Sequence, residues 1–224
     1  MTHQDTPRRA RTSTRAAALA GAMALTVLIT GCADVGRDPA PEAPPGFIRE
    51  LVLPSESGGA VQSLENYNPY AITPLTRTWL YEPMMLRDAY TCDYVPWLVT
   101  EFETPDPTTL VLQVRDGVTW SDGTPMTADD VVFTLEAFKA HPGMDKAGVW
   151  SPTFGGVPTA ITADGNTVTI AFDAPFATKL QDLLTLTQVV PRHHYGDVGD
   201  IPEFIDTDPV GTGPFVVSGY NGRR

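Results

Sequence analysis

A mixed α/β (α+β) fold is predicted for this chain of 224 residues by three observations. Residues 108–114 and 167–172 alternate apolar and polar side chains with the period of a strand. Residues 127–141 repeat their apolar side chains with the period of a helix. Turns rich in Gly, Pro and Asp separate these runs. The hydrophobic content of 42% suffices for one or two compact domains.

The chain opens with Arg8, Arg9, Arg11 and Arg15, followed by an uncharged run from Ala16 to Thr30. That run suits the apolar core of a signal peptide and is shorter than the ~20 residues a membrane-spanning helix needs. It closes on Leu28-Ile29-Thr30-Gly31-Cys32, which resembles the lipobox of bacterial lipoproteins. The resemblance implies that Cys32 carries a diacylglycerol thioether, becomes the mature N-terminus and anchors the protein to the cell membrane from outside the cytoplasm. Ala33 to Gly46 is Pro-rich and aperiodic, a semi-rigid tether.

Phe47 to Leu53 is the first strand-like run. Thr73-Pro74 opens a helix as N-cap and first position; Leu75, Trp79 and Leu80 form its apolar side and Pro83 ends it. Thr108 to Val114 is a strand with one buried face. Trp120 to Pro125 is a turn in which Asp122 is a turn former. Thr127 starts the next helix. Thr127 and Asp130 resemble a capping box with Asp in place of Glu, and Asp129 and Asp130 suit the positive end of the helix dipole. Val131, Leu135 and Phe138 mark its core face, and His141-Pro142-Gly143 stops it. Asp164-Gly165-Asn166 is a hairpin turn into the strand Thr167 to Phe172. Phe176 to Leu186 is expected to be a short amphipathic helix, and Val210 to Tyr220 to run from a Gly-rich turn into a strand.

From Cys32 onward the chain has 11 basic and 26 acidic residues, a net charge near −15. That balance disfavours nucleic-acid binding, whose footprint is clustered Lys and Arg. With Cys32 lipidated, Cys92 has no disulfide partner and is expected to be a small buried hydrophobe. Gly211-Thr212-Gly213 lacks the lysine of a phosphate loop and reads as a structural turn. His193 and His194 are adjacent and without a third ligand nearby, so no metal is expected. An extracellular hydrolase, the alternative of another class, is disfavoured because no nucleophile or metal motif supports it, and no repeat or long low-complexity stalk supports an adhesion module. Tyr67, Tyr70, Trp150 and Phe154 lie in loops outside any periodic core pattern, which makes them candidates for ligand platforms or for interface padding.

Val114 to Phe133 (VRDGVTWSDGTPMTADDVVF) closely resembles the signature segment of family 5 solute-binding proteins of ABC transporters. Asn68-Pro69-Tyr70, Leu80-Tyr81-Glu82-Pro83-Met84-Met85, Asp164 to Ile170 and Pro209 to Phe215 resemble further family segments in the family's order. The resemblance implies a periplasmic-binding-protein-like class II fold and no catalytic activity or cofactor. The chain is shorter than family members, so a truncated form is expected: an incomplete lobe I, an inserted domain and no lobe II. Mapped onto the sequence, residues 1–31 are signal peptide, 32–46 tether, 47–70 and 188–224 parts of lobe I, and 71–187 the inserted domain. Ligand contacts are implied at Tyr70, Ala71, Ile72 and Trp150. The implied partners are an oligopeptide, or alternatively an oligosaccharide, and the permease subunits of an ABC importer; the receptor is expected to be a monomer.

Overall fold

The computed structural model describes residues 66–71 and 77–218. Cys32, Ile72, the signal segment, the tether, the run 47–53 and the helix start at Thr73-Pro74 lie outside the described residues. The elements are α1 (Arg77–Leu80), β1 (Met85–Arg87), β2 (Tyr94–Pro96), β3 (Val99–Asp106), β4 (Thr109–Val114), α2 (Ala128–Ala140), a 3-10 turn at Pro152–Phe154, β5 (Pro158–Asp164), β6 (Thr167–Phe172), α3 (Leu180–Leu186) and α4 (Arg192–Tyr195).

An antiparallel sheet of order β3-β4-β6-β5 organises the core. Its two inner strands, β4 and β6, place Leu110 opposite Ile170 and Leu112 opposite Val168. All four side chains are fully buried, as strict alternation on a half-covered sheet requires. Helix α2 packs on β5 and β6, presenting the buried Val131, Leu135 and Phe138 at helical spacing. The edge strand β3 is mostly exposed and carries Glu101, Glu103, Pro105 and Asp106 with register shifts, features that discourage pairing with another chain. Gly165, at φ 56°, makes the tight turn between β5 and β6, a conformation that a Cβ disfavours.

Three expectations are corrected. The helix expected over 176–186 begins only at Leu180. Phe176 instead stacks on Phe172 with ring centroids 4.4 Å apart, while the Thr178 hydroxyl donates to the Phe154 carbonyl and Lys179 Nζ to the Val149 carbonyl. These contacts hold residues 176–179 as a turn. Among the described residues 210–218 no strand forms, because the backbone there is engaged with α1 and the 120–125 turn. Helix α1 stops at Leu80, before Pro83, which forms an isolated antiparallel bridge with Gln188. The hairpin of β1 and β2, the edge strand β3 and strand β5 add to what the periodicity marks.

Candidate ligand-facing site

Tyr70 leaves the 66–71 loop and enters the core. It is 4% exposed, its ring meets Phe138 of α2 edge-on at 5.4 Å, and its hydroxyl donates to the Gln188 carbonyl at 2.5 Å. Ala71 follows, also buried. Trp150, in the loop after α2, packs against the same helix: its indole N–H donates to the Leu135 carbonyl at 2.8 Å and Lys139 Nζ sits 4.7 Å from its ring centroid. Tyr70 and Trp150 are thus brought to the C-terminal half of one helix. Beside Tyr70, Thr187 Oγ1 and Gln188 Oε1 are buried without a hydrogen-bond partner among the described residues.

Asn68 fixes this loop. Its amide donates to the carbonyls of Ile201 (2.5 Å) and Phe204 (3.1 Å), and its Oδ1 accepts from the Tyr70 N–H at 2.9 Å. Asn66 Oδ1 accepts from the N–H groups of Asn68 and Asp206, and the Tyr67 N–H donates to the Asp206 carbonyl. The 66–71 and 201–206 segments are therefore sewn together by their polar groups, which satisfies backbone that burial would otherwise strand.

Asp206 lies at the centre of a buried cluster. Its Oδ2 accepts from the hydroxyls of Tyr195 (2.7 Å) and Tyr81 (3.2 Å), and His194 Nε2 lies 3.3 Å away. Burial pushes the Asp206 carboxyl up, but His194, Tyr195 and Tyr81 outweigh it and hold the pKa below the usual value. The Asp206 carboxylate raises the pKa of His194. Desolvation and the nearby charge push both tyrosines well above their ordinary value, so they act as neutral donors. Sequence periodicity gave no signal for this cluster, because Asp206 sits in a polar loop.

A second node joins the signature segment. Asp130 Oδ2 accepts from the Thr127 N–H at 2.9 Å and Trp120 Nε1 at 3.4 Å, and Oδ1 accepts from the Arg192 N–H at 2.9 Å. The expected helix start is therefore also a clasp between the turn, α2 and α4. Asp122 accepts from the Thr124 N–H, as a turn former should, and contacts His193 Nε2 at 2.7 Å. The Thr124 bond, ahead of the His193 contact, lowers the Asp122 pKa. The Ser121 N–H donates to the Gly211 carbonyl at 2.9 Å and the Gly213 N–H to the Leu80 carbonyl at 2.8 Å. The segments at 80–83, 120–125 and 209–215, far apart in sequence, meet here.

Cys92 is exposed, with φ 63°, rather than buried as expected. It sits in the turn between β1 and β2, where its backbone N–H donates to the Asp88 carbonyl, and that connection leaves its side chain outside the core. Among the described residues no group of three His, Cys, Asp or Glu side chains could hold a metal ion, and no helix is long and apolar enough to cross a membrane.

The sequence pattern of the bacterial extracellular solute-binding proteins, family 5 Middle, matches residues 93–224. The dipeptide-binding protein of Escherichia coli is 29% identical over 181 residues, covering 70% of this chain and 34% of that protein. A crystal structure of a periplasmic oligopeptide-binding protein from Thermotoga maritima superimposes with a TM-score of 0.64 at 30% identity, covering 70% of this chain and 30% of that one. A structure of that oligopeptide-binding protein with bound mannohexaose gives a TM-score of 0.63 at 30% identity, covering 70% and 29%. The chain spans about a third of the length of these relatives. With the mixed α/β fold in place and more than half of its length matched, the chain belongs to the bacterial extracellular solute-binding proteins, family 5.

Proposed function

We propose that this chain is part of a lipid-anchored, non-catalytic, monomeric receptor that captures oligopeptides outside the cytoplasm and delivers them to the permease of an ABC importer. The observation that carries the reading is the family match over residues 93–224, together with similarity to a dipeptide-binding and an oligopeptide-binding protein. In this reading Cys32 holds the lipid, and two or more acyl chains suffice for stable anchoring. Residues 47–70 and 188–224 belong to one lobe and 71–187 to an inserted domain. The segment Tyr70, Ala71 and Ile72 lines one wall of the cleft, with the Tyr70 ring supporting it from beneath and Trp150 at its flank.

An oligosaccharide is the second reading, favoured by the mannohexaose complex of the similar Thermotoga maritima protein. Calorimetry on residues 32–224 separates the two. Binding pockets bury ~70–90% of a ligand's surface, and one wall supplies only part of that. Weak heats from tri- to pentapeptides that exceed those from cello- or manno-oligosaccharides support the peptide reading. The reverse order supports the sugar.

A further inference from the structure

Asp206 is bonded on two sides. Its backbone is committed to the 66–71 loop: the N–H donates to Asn66 Oδ1 at 3.0 Å and the carbonyl accepts from the Tyr67 N–H at 2.8 Å. Its side chain is committed to α4 and to Tyr81, with His194 Nε2 3.3 Å from Oδ2 and the two tyrosine hydroxyls donating to the same oxygen. One residue therefore joins a titratable pair to the backbone of the loop. Asn68 extends the join, since its amide holds the Ile201 and Phe204 carbonyls while its Oδ1 holds the Tyr70 N–H. A displacement of the 201–206 segment strains the bonds that seat residues 66–70.

Only one member of the pair meets solvent. The His194 side chain is 22% exposed and that of Asp206 1%, so His194 can gain or lose a proton while the carboxylate stays covered. The charged groups acting on His194 are Asp206 and Asp208 from the 201–208 segment and Asp122 from the 120–125 turn, all acidic. The rings of Tyr195 and Phe204 lie edge-on to it, at 4.9 and 6.1 Å. The bond to Asp206 is the main cause that raises its pKa, against an opposing desolvation. Tyr81 and Tyr195 donate to the carboxylate as neutral hydroxyls, so His194 supplies the positive charge. When it deprotonates, a charge-assisted contact becomes one between a neutral ring and a carboxylate, which is weaker.

We propose that His194 and Asp206 form a proton-operated latch on the 66–71 loop: with His194 protonated the loop is held to the 201–206 segment, and loss of that proton lets the loop open while the sheet core stays folded. The latch is closed above the lowered pKa of Asp206 and below the raised pKa of His194. That it also regulates ligand capture rests on the reading of residues 70–72 as a cleft wall; the latch itself does not.

Amide hydrogen exchange of the full chain, followed by NMR without ligand from about pH 5 to 8.5, tests it. Protection factors, corrected for the intrinsic rise of exchange with pH, should be lower at the Tyr67 and Tyr70 amides than at Leu112 and Ile170 in the sheet, because the loop opens locally. Protection at the two loop amides should fall about 10-fold as pH rises, with the midpoint at which the His194 ring resonances titrate. His194→Gln, which offers only a neutral donor, should flatten that dependence. Loop amides as protected as the sheet amides, protection unchanged across the His194 titration, or a pH dependence that survives in His194→Gln would each overturn the proposal. The profile of the unaltered chain decides the matter if the variant fails to fold. No peptide is present, so a failure of the cleft reading would leave this result untouched.

Discussion

Tyr195 donates its hydroxyl proton to Asp206 Oδ2 across 2.7 Å, and neither residue is more than 1% exposed. Because Tyr81 also donates to that oxygen, removing the carboxylate strands two buried hydroxyls. Asp206→Ala should therefore cost about 3 kcal/mol, and Tyr195→Phe about 2 kcal/mol, in urea unfolding. A loss under about 1 kcal/mol in the alanine variant would mean that the cluster does not hold the 66–71 and 201–206 segments together.

The same cluster sets a pH window. His194 is raised by Asp206, so its contribution is complete below the unfolded value of about 6.5 and is lost as pH rises through the folded value. Asp206 is lowered, so its contribution is present above about 4 and is lost as pH falls through the folded value. Stability should peak between these limits. Asp206, Asp208 and Asp122 all act on His194, and His194 leads the groups that hold Asp206 down, so His194→Gln should remove the decline on the alkaline side of about 6.5 and also shrink the acid limb. Urea midpoints across pH read both limbs.

Asp129 and Asp130 are neighbours in the first turn of α2, yet only Asp130 is buried. Asp130→Ala loses the bonds from Thr127, Trp120 and Arg192 and should cost about 3 kcal/mol; Asp129→Ala loses only an interaction with the helix dipole, about 0.5 kcal/mol. Equal costs by thermal unfolding would show that the clasp has no weight.

A Cβ at Gly211 would sit 1.9 Å from the Leu80 carbonyl oxygen, a backbone atom that cannot swing aside. Gly211→Ala should cost at least about 2 kcal/mol, whereas Gly143→Ala, with open space around its Cα, should stay within about 0.5 kcal/mol. Chemical denaturation of the two variants side by side reads the difference.

Strands β4 and β6 and helix α2 were legible because each buries one face, and burial writes its period into the sequence. Edge strand β3 was not, since an exposed edge favours Glu101 and Glu103 over alternating apolar residues. The turn at Phe176–Lys179 was misread as helix because its apolar residues fit a helical face. Tertiary bonds from Thr178 and Lys179 to the 149–154 loop decide its backbone instead. The local role of Asp130 was visible as a helix cap, but its bond to Arg192, far along the chain, was not. Tyr70 stood out as a loop aromatic, and the fold turns its ring inward against Phe138.

The central claim is that residues 70–72 and Trp150 form one wall of a peptide-binding cleft. Amide and indole NMR of residues 32–224 titrated with a tripeptide tests it most directly. The account predicts selective shifts at Ala71, Ile72 and the Trp150 indole N–H, with a Kd of about 1 mM or weaker, because one wall buries only part of the ligand. No shift at these groups with about 10 mM peptide, or micromolar binding that perturbs other residues, would contradict it.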